Sequence, residues 1–236
     1  MRLLIILFFF ISISTSTIAQ ALIGMELLDK SIEYHDPNSK WNQFNGSFSV
    51  SMESPNRPMR KSKITLDLTR SFFELSVQIG ENQWKASLVD EDCDLFFNGS
   101  KEISPEVEKE FRLNCKRAKM YRNYYTYLYG LPMKLKDPGT LIDPIINQKS
   151  IEGTSYWVLK VEYEPNVGSD TWYFYFDIET FALKRYQFFH DESKNDGEYI
   201  ILDGEIEIEE ILMPKNRSWY YNSDNTFLGT DILSKQ

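Results

Sequence analysis

Alternating apolar and polar residues are the clearest pattern in the first half of the chain. Apolar side chains occupy every second position in the segments 48–52, 64–68 and 73–79, with polar or charged residues between them. A period of two is typical of strands that bury one face and expose the other, as in antiparallel meanders. Arg57-Pro58 and the segment 80–82 supply turns between the strands. The first half therefore predicts an antiparallel sheet.

The second half returns to strands with more aromatic residues. Aromatic and aliphatic residues share faces in the segments 157–163 and 172–176, and segment 205–209 alternates Glu with Ile strictly. Segment 194–197 and Asp203-Gly204 are typical of tight hairpin turns. The two halves together predict about ten strands.

Two helices are predicted next to these strands. Segment 24–34 places its apolar residues on one helical stripe and stops before Pro37, which disfavours helix at the preceding residue. Ser104 followed by Pro105 is typical of an N-cap and a first helical residue, and predicts a helix to about residue 113.

A third helix and a loop are predicted in the middle of the chain. Met120, Tyr124 and Leu128 recur at every fourth position, and Gly130 is placed to end that helix. Segment 131–144 contains three Pro and one Gly, which predicts a loop. Because this loop is unusually apolar, we expect it to be a lid, a docking surface for a partner, or a plug for an open barrel.

The order of these elements predicts the fold class and the domain organisation. Large twisted sheets curl rather than stay flat. We therefore expect an α+β fold, mainly antiparallel β, in which a strongly curved, unclosed β-barrel of about ten strands has helices covering its concave side. With no linker or internal repeat in the sequence, we expect residues 20–236 to form a single domain.

The first 19 residues predict a cleaved signal peptide. Met1-Arg2 precedes an apolar run of about 11 residues, too short for a bilayer core that needs roughly 20. Thr17-Ile18-Ala19 offers a cleavage site before Gln20, and no Cys lies nearby for lipid attachment. No later segment is long and apolar enough to cross a membrane. We therefore expect a periplasmic or secreted protein.

Charge and motifs exclude several function classes. The chain has 35 acidic against 26 basic residues and a net charge of −9, which argues against binding a nucleic-acid backbone. Two His and two Cys exclude most four-ligand zinc sites. Signatures of serine hydrolases, zinc proteases and nucleotide-binding loops are missing. We expect a protein that is not an enzyme and needs no cofactor.

The two Cys residues and the two His-Asp pairs are the remaining candidate sites. Cys93 and Cys115 lie in a chain predicted to be exported, where a disulfide is expected, and two buried thiols are the alternative. His35-Asp36 and His190-Asp191 could bind one divalent metal if the pairs met in space. The alternative interpretation is two separate His residues, each beside a turn Asp.

The chain also resembles a family of uncharacterised secreted proteins of Bacteroidetes envelopes and, in element order, the bacterial lipoprotein-carrier fold. The residues that carry the family resemblance are Tyr34-His35-Asp36-Pro37, Tyr129-Gly130-Leu131-Pro132-Met133-Lys134-Leu135 with Asp137-Pro138-Gly139-Thr140, Ser169-Asp170-Thr171-Trp172-Tyr173-Phe174-Tyr175, Lys194-Asn195-Asp196-Gly197-Glu198-Tyr199-Ile200, Pro214-Lys215 and Leu228-Gly229-Thr230-Asp231. The resemblance to the carrier fold implies carriage of acyl chains, and a lipid or a lipidated protein as the partner.

Candidate ligand-binding residues follow from the aromatic strand faces and the central helix. They are Tyr124, Tyr127, Leu128, Leu131, Met133, Trp157, Trp172, Phe174, Phe176, Tyr186 and Phe188. On this hypothesis they line an empty apolar cavity of several hundred Å³. The alternatives are an envelope structural or interaction protein with a filled core and a protein partner, and a hydrolase with an acidic or His-Asp site.

Overall fold

The computed structural model describes residues 22–236, so the predicted signal peptide at 1–19 lies outside the described residues. Twelve antiparallel strands form one sheet in the order β5-β4-β3-β2-β1-β12-β11-β10-β9-β8-β7-β6. The strands are β1 Asn45–Glu53, β2 Arg60–Asp67, β3 Phe72–Ile79, β4 Asn82–Val89, β5 Asp92–Phe97, β6 Thr140–Ile151, β7 Thr154–Tyr163, β8 Thr171–Asp177, β9 Leu183–Phe189, β10 Glu198–Ile208, β11 Ile211–Tyr221 and β12 Phe227–Lys235. The helices are α1 Gly24–His35, α2 Pro105–Phe111 and α3 Cys115–Tyr129.

The sheet is curved and unclosed, as the sequence predicts. The first meander, β1 to β5, joins the second through the pairing of β1 with the last strand, β12. β5 and β6 form the two free edges, and α2 and α3 lie between them in the chain, whereas α1 precedes β1. This arrangement confirms the predicted half-barrel with helices on its concave side.

The predicted number of strands was too low by two. β5 begins at Asp92, inside the acidic segment 90–94, where the sequence shows no apolar alternation. β6 contains Pro144, and its pairing shifts between Ile142 and Ile146. Proline is tolerated at such bulges on edge strands, because no ladder hydrogen bond is lost there. The prediction that 131–144 is a loop throughout was therefore wrong from Thr140 onward.

The predicted alternation in the first meander is confirmed by burial. Most inward residues of β1 to β4 lie in the core. They are Phe48, Val50, Ile64, Leu66, Phe73, Leu75, Val77, Trp84, Ala86 and Leu88. This face gives the concave side its apolar surface.

Helix α1 packs against the second meander. Leu27 and Leu28 on its predicted stripe are fully buried. Gly24 begins the helix so close to β6 that a Cβ atom there would lie 2.0 Å from the Asp143 carbonyl oxygen. Only the missing side chain allows this approach.

Helices α2 and α3 form the central insertion between the meanders. Ser104 caps α2 as predicted, since its Oγ accepts a hydrogen bond from the Val107 N–H at 3.4 Å. A disulfide joins Cys115, the first residue of α3, to Cys93 in β5. None of the helices in residues 22–236 combines the length and apolar character needed to span a membrane.

Candidate functional site

Tyrosines of α3 form its contact with the concave face. Three of them, one turn apart along the helix, pack against aromatic residues of β4, β3 and β1 with ring centroids 5.9, 6.4 and 4.8 Å apart. The pairs are Tyr121–Trp84, Tyr125–Phe73 and Tyr129–Phe48. Of the predicted stripe, Leu128 is buried and Tyr124 packs against the core, but Met120 is 47% exposed.

A second aromatic cluster lies on β8 and β9 and is centred on Trp172. Its ring centroid is 4.8 Å from that of Phe188, 5.7 Å from that of Tyr127 and 5.9 Å from that of Phe174. Tyr186 is 6.1 Å away. The fold therefore brings helix and strand candidates from the sequence analysis into contact.

The candidate ligand-binding residues belong to one connected apolar cluster, but they fill it. Six are buried: Leu128, Leu131, Met133, Phe174, Phe176 and Tyr186. Five are partly buried and pack against the same core: Tyr124, Tyr127, Trp157, Trp172 and Phe188. The concave face is packed closed where α3 lies, in place of the empty cavity that the sequence suggested.

The segment after α3 closes one end of this face. A short 3₁₀ helix, Met133–Lys136, follows the α3 end. Leu131, Met133 and Leu135 insert into the core. In this structure the segment therefore acts as a plug.

Charged residues interrupt the concave face along one row across four strands. Arg60 pairs with Met52, Met52 pairs with Asp231, and Asp231 pairs with Arg217 in the sheet register. Directly opposite residues share a face of the sheet. The row therefore runs beneath α3 from β2 to β11 with the charge order positive, neutral, negative, positive.

Both guanidinium groups of this row bind α3. Arg60 donates hydrogen bonds to the hydroxyls of Tyr125 at 2.9 Å and Tyr121 at 3.5 Å. Arg217 donates to the carbonyl oxygens of Pro214 at 2.9 Å and Leu128 at 3.3 Å. The polar row thus holds the helix on the sheet.

Asp231 lies between the two arginines and is 6% exposed. Burial raises the pKa of its carboxyl, while the nearby Arg217 and Arg60 oppose the shift. Within residues 22–236, no Lys, Arg or His nitrogen lies within ion-pair distance of this carboxylate. The arginines therefore compensate its charge only at longer range, and hydrogen bonds from the side chains of Trp219 and Tyr124 also favour the ionised form.

A cleft of about 260 Å³ opens beside the row. Its lining residues are Met52, Tyr124, Glu198, Trp219, Leu228, Gly229 and Asp231. This volume is below the about 300–1,000 Å³ typical of pockets that enclose a small molecule. The cleft alone has room for only part of a lipid.

A larger cleft of about 770 Å³ follows the other side of α3. Its walls combine apolar and aromatic residues with charged ones: Leu68, Phe72, Tyr127 and Val167 beside Asp67, Asp90, Glu91, Arg122 and Lys134. Such charged walls favour water over hydrocarbon. The smaller cleft is therefore the better match to an apolar ligand.

The two His-Asp pairs do not meet. His35 is fully buried; its Nδ1 lies 2.6 Å from the Leu212 carbonyl oxygen, and its Nε2 accepts the Leu183 N–H at 2.9 Å. His190 follows the far end of β9, roughly 20 Å from Leu183 at about 3.3 Å per strand residue. Its Nδ1 lies 2.8 Å from an Asp170 carboxylate oxygen.

These positions contradict the hypothesis of one shared metal site. Asp36 uses its carboxylate to accept the backbone N–H groups of Lys40 and Trp41. Asp191 accepts from Ser193. In the part of the chain that the structure describes, no three His, Cys, Asp or Glu residues are grouped to hold a metal ion.

Sequence reasoning missed the polar row and most of the cleft. The sequence pattern did not single out Arg217, Asp231 or Trp219 as site residues. A charged residue at an inward position of an alternating strand was the available signal. Only the pairing register of β2, β1, β12 and β11 shows that the charged residues of these strands lie side by side.

Comparison with solved structures supports the fold. A LolA-superfamily protein from Nitrosomonas europaea aligns with a TM-score of 0.55 at 11% identity, covering 91% of this chain and 93% of that chain. A domain from Vibrio parahaemolyticus described as a putative outer membrane lipoprotein-sorting protein aligns with a TM-score of 0.50 at 10% identity. The alignment covers 90% of this chain and 92% of that chain. A DUF1329 family protein from Desulfovibrio piger aligns with a TM-score of 0.50 at 8% identity, covering 89% of this chain and 91% of that chain.

The half-barrel with its helix-covered apolar face is therefore a LolA-like fold. The chain itself belongs to a family of unknown function, DUF6503, which matches residues 3–235. Among curated proteins, none matches the sequence.

Proposed function

We propose that this protein is a non-catalytic carrier of an apolar ligand, a lipid or the acyl part of a lipidated protein, in an extracytoplasmic space of the bacterial envelope. The observation that supports it most is the construction of α3, which covers an aromatic concave face with a row of tyrosines. Tyrosine combines a large apolar ring with a polar hydroxyl. A tyrosine face is less costly to expose to water than a leucine face, which suits a cover that moves.

The attachment of α3 indicates how a ligand enters. The disulfide fixes its first residue to β5, and Leu131 and Met133 plug the core after its last residue. We propose that an acyl chain first occupies the cleft at Tyr124 and extends under α3 as the plug withdraws. The chain then contacts the second aromatic cluster, including Trp172, Phe174 and Phe188.

The energy of hydrocarbon burial is sufficient for such a displacement. Each buried methylene contributes about 0.8 kcal/mol, so a sixteen-carbon chain gains on the order of 10 kcal/mol before ordering costs. This gain offsets lost contacts of α3, because the ligand replaces them with contacts of its own.

The test is binding of N-phenyl-1-naphthylamine, a neutral apolar fluorescent probe, together with native mass spectrometry of gently purified protein. We expect probe binding and an acyl adduct. Leu228→Trp should fill the cleft and weaken probe binding about tenfold, whereas Leu141→Trp on the exposed side of β6 should leave it unchanged. Bare protein mass together with absent probe binding would overturn the proposal.

An envelope interaction protein is the second candidate, because the concave face is packed in this structure. Tyr127 and Met133 are not free to contact a partner, since Met133 is buried and the Tyr127 hydroxyl forms a hydrogen bond with that of Tyr163. Ile145 on edge strand β6 is 67% exposed. Loss of an envelope partner in Ile145→Lys, with probe binding absent in both proteins, would favour this candidate.

A further inference from the structure

The cleft at Tyr124 is lined partly by apolar and aromatic residues and partly by ionisable ones. Met52, Leu228 and the rings of Tyr124 and Trp219 are its apolar part. The ionisable groups that line it, apart from the Tyr124 hydroxyl, are carboxylates. No Lys, Arg or His is among its lining residues, all of which lie in the described chain.

The two carboxylates are Asp231 and Glu198. Although Asp231 lies between two arginines in the sheet register, both arginines direct their hydrogen bonds elsewhere, Arg217 to backbone carbonyls and Arg60 to tyrosine hydroxyls. Asp231 is buried yet lines the cleft without an ion-pair partner. Burial raises the pKa of both carboxyls, and the nearby cations, Arg217 and Arg60 at Asp231 and His190 at Glu198, only partly oppose the shift.

We propose that this cleft selects the polar end of an amphiphile, and that this end donates hydrogen bonds and is not anionic: an ammonium or a hydroxyl group on an apolar chain. The inference rests on the carrier function proposed above and adds the chemistry of the ligand's polar end. Ionised carboxylates only accept hydrogen bonds, so a donor end satisfies them. An anionic end would lie beside two carboxylates without any cation lining the site.

The aromatic walls add a second reason. The rings of Tyr124 and Trp219 are 6.4 Å apart between centroids and inclined by 19°. Faces of Trp and Tyr attract cations within about 6 Å. An ammonium end therefore gains from both the carboxylates and the rings, whereas a hydroxyl end gains from hydrogen bonds alone.

The experiment measures displacement of N-phenyl-1-naphthylamine at pH 7.5 by three amphiphiles with one chain length: octylammonium, 1-octanol and octanoate. We expect both donors to bind at least about tenfold more tightly than octanoate. Tighter binding of octylammonium than of octanol identifies a cationic ligand class, and equal affinities of the two identify a hydroxyl class. Octanoate binding as tightly as the donors would overturn the inference while the carrier function stands.

Substitutions locate the selectivity. Glu198→Gln and, separately, Asp231→Asn should reduce the preference of octylammonium over octanoate at least about threefold. Glu207→Gln is the matched control, since Glu207 lies on the same strand and is exposed outside the cleft. Unchanged preference in a folded Glu198→Gln protein would overturn the role of the cleft. Failure of the probe and of all three amphiphiles to bind would overturn both the inference and the carrier function.

Discussion

The guanidinium of Arg217 lies over the face of the Tyr129 ring, with 4.0 Å between its central carbon and the ring centroid. Arg217 is 1% exposed, and its side chain also donates to two backbone carbonyls. Cation–π contacts of desolvated groups contribute about 2 kcal/mol. This pair therefore fastens the end of α3 to β11.

Replacing this arginine should destabilise the fold strongly. Arg217→Met fills similar space but leaves the carbonyls of Pro214 and Leu128 unpaired and Asp231 without its nearest long-range compensation. We expect the free energy of unfolding to fall by about 3 kcal/mol, measured by urea denaturation. Arg217→Lys keeps the charge but loses the planar fork, so its loss should be smaller. A loss below about 1 kcal/mol in Arg217→Met would contradict this assignment.

Removing the disulfide should loosen the start of α3. Cys93 and Cys115 are 22 residues apart. In the chain-entropy model a loop of this length contributes about 3 kcal/mol. We expect the double variant Cys93→Ser/Cys115→Ser to lose this amount in urea unfolding, with no further loss when reductant is added. Equal unfolding midpoints for the oxidised protein and the double variant would show that the bridge adds no stability.

His35 should make stability depend on pH. Burial lowers the pKa of His35 below its ordinary 6.5, and both ring nitrogens already have backbone partners. Below about pH 6.5 the unfolded chain therefore binds a proton that the folded chain does not, and stability falls as pH falls.

The measurement is urea unfolding at pH 7.5 and 5.5 for the natural chain and for His35→Gln. Relative to the variant, the natural chain should lose up to about 1.4 kcal/mol of its free energy of unfolding for each pH unit below 6.5. The comparison cancels the opposite effect of His190, whose hydrogen bond to Asp170 raises its pKa in both proteins. A constant difference between the two proteins at both pH values would exclude this role for His35.

Gly24 should resist substitution despite its helical position. Alanine normally stabilises a helix relative to glycine by about 1 kcal/mol. Because a Cβ at Gly24 would overlap the Asp143 carbonyl oxygen, we expect Gly24→Ala to lower the free energy of unfolding by about 1–3 kcal/mol instead. Glu33→Ala, at an exposed position of the same helix, should change stability by less than about 0.5 kcal/mol. A stabilised Gly24→Ala protein would mean that α1 can shift away from β6.

The strands of the first meander were predictable because one face of each is buried and the other solvated. Phe48, Ile64 and Leu75 alternate with polar neighbours, so the period of two is visible in the sequence. β6 was not predictable in this way. As an exposed edge strand with Pro144 at a bulge it buries no continuous face, and therefore shows no alternation.

Local patterns along the chain were enough to predict the two meanders, the helical insertion between them, the half-barrel and the aromatic residues of its concave side. These features depend on local patterns of a few residues. The packing of the concave face under α3, and the row of Arg60, Asp231 and Arg217 beneath it, became visible only in three dimensions. The reason is physical: strand register joins residues more than 150 positions apart, and the space left between close-packed side chains depends on all of them at once.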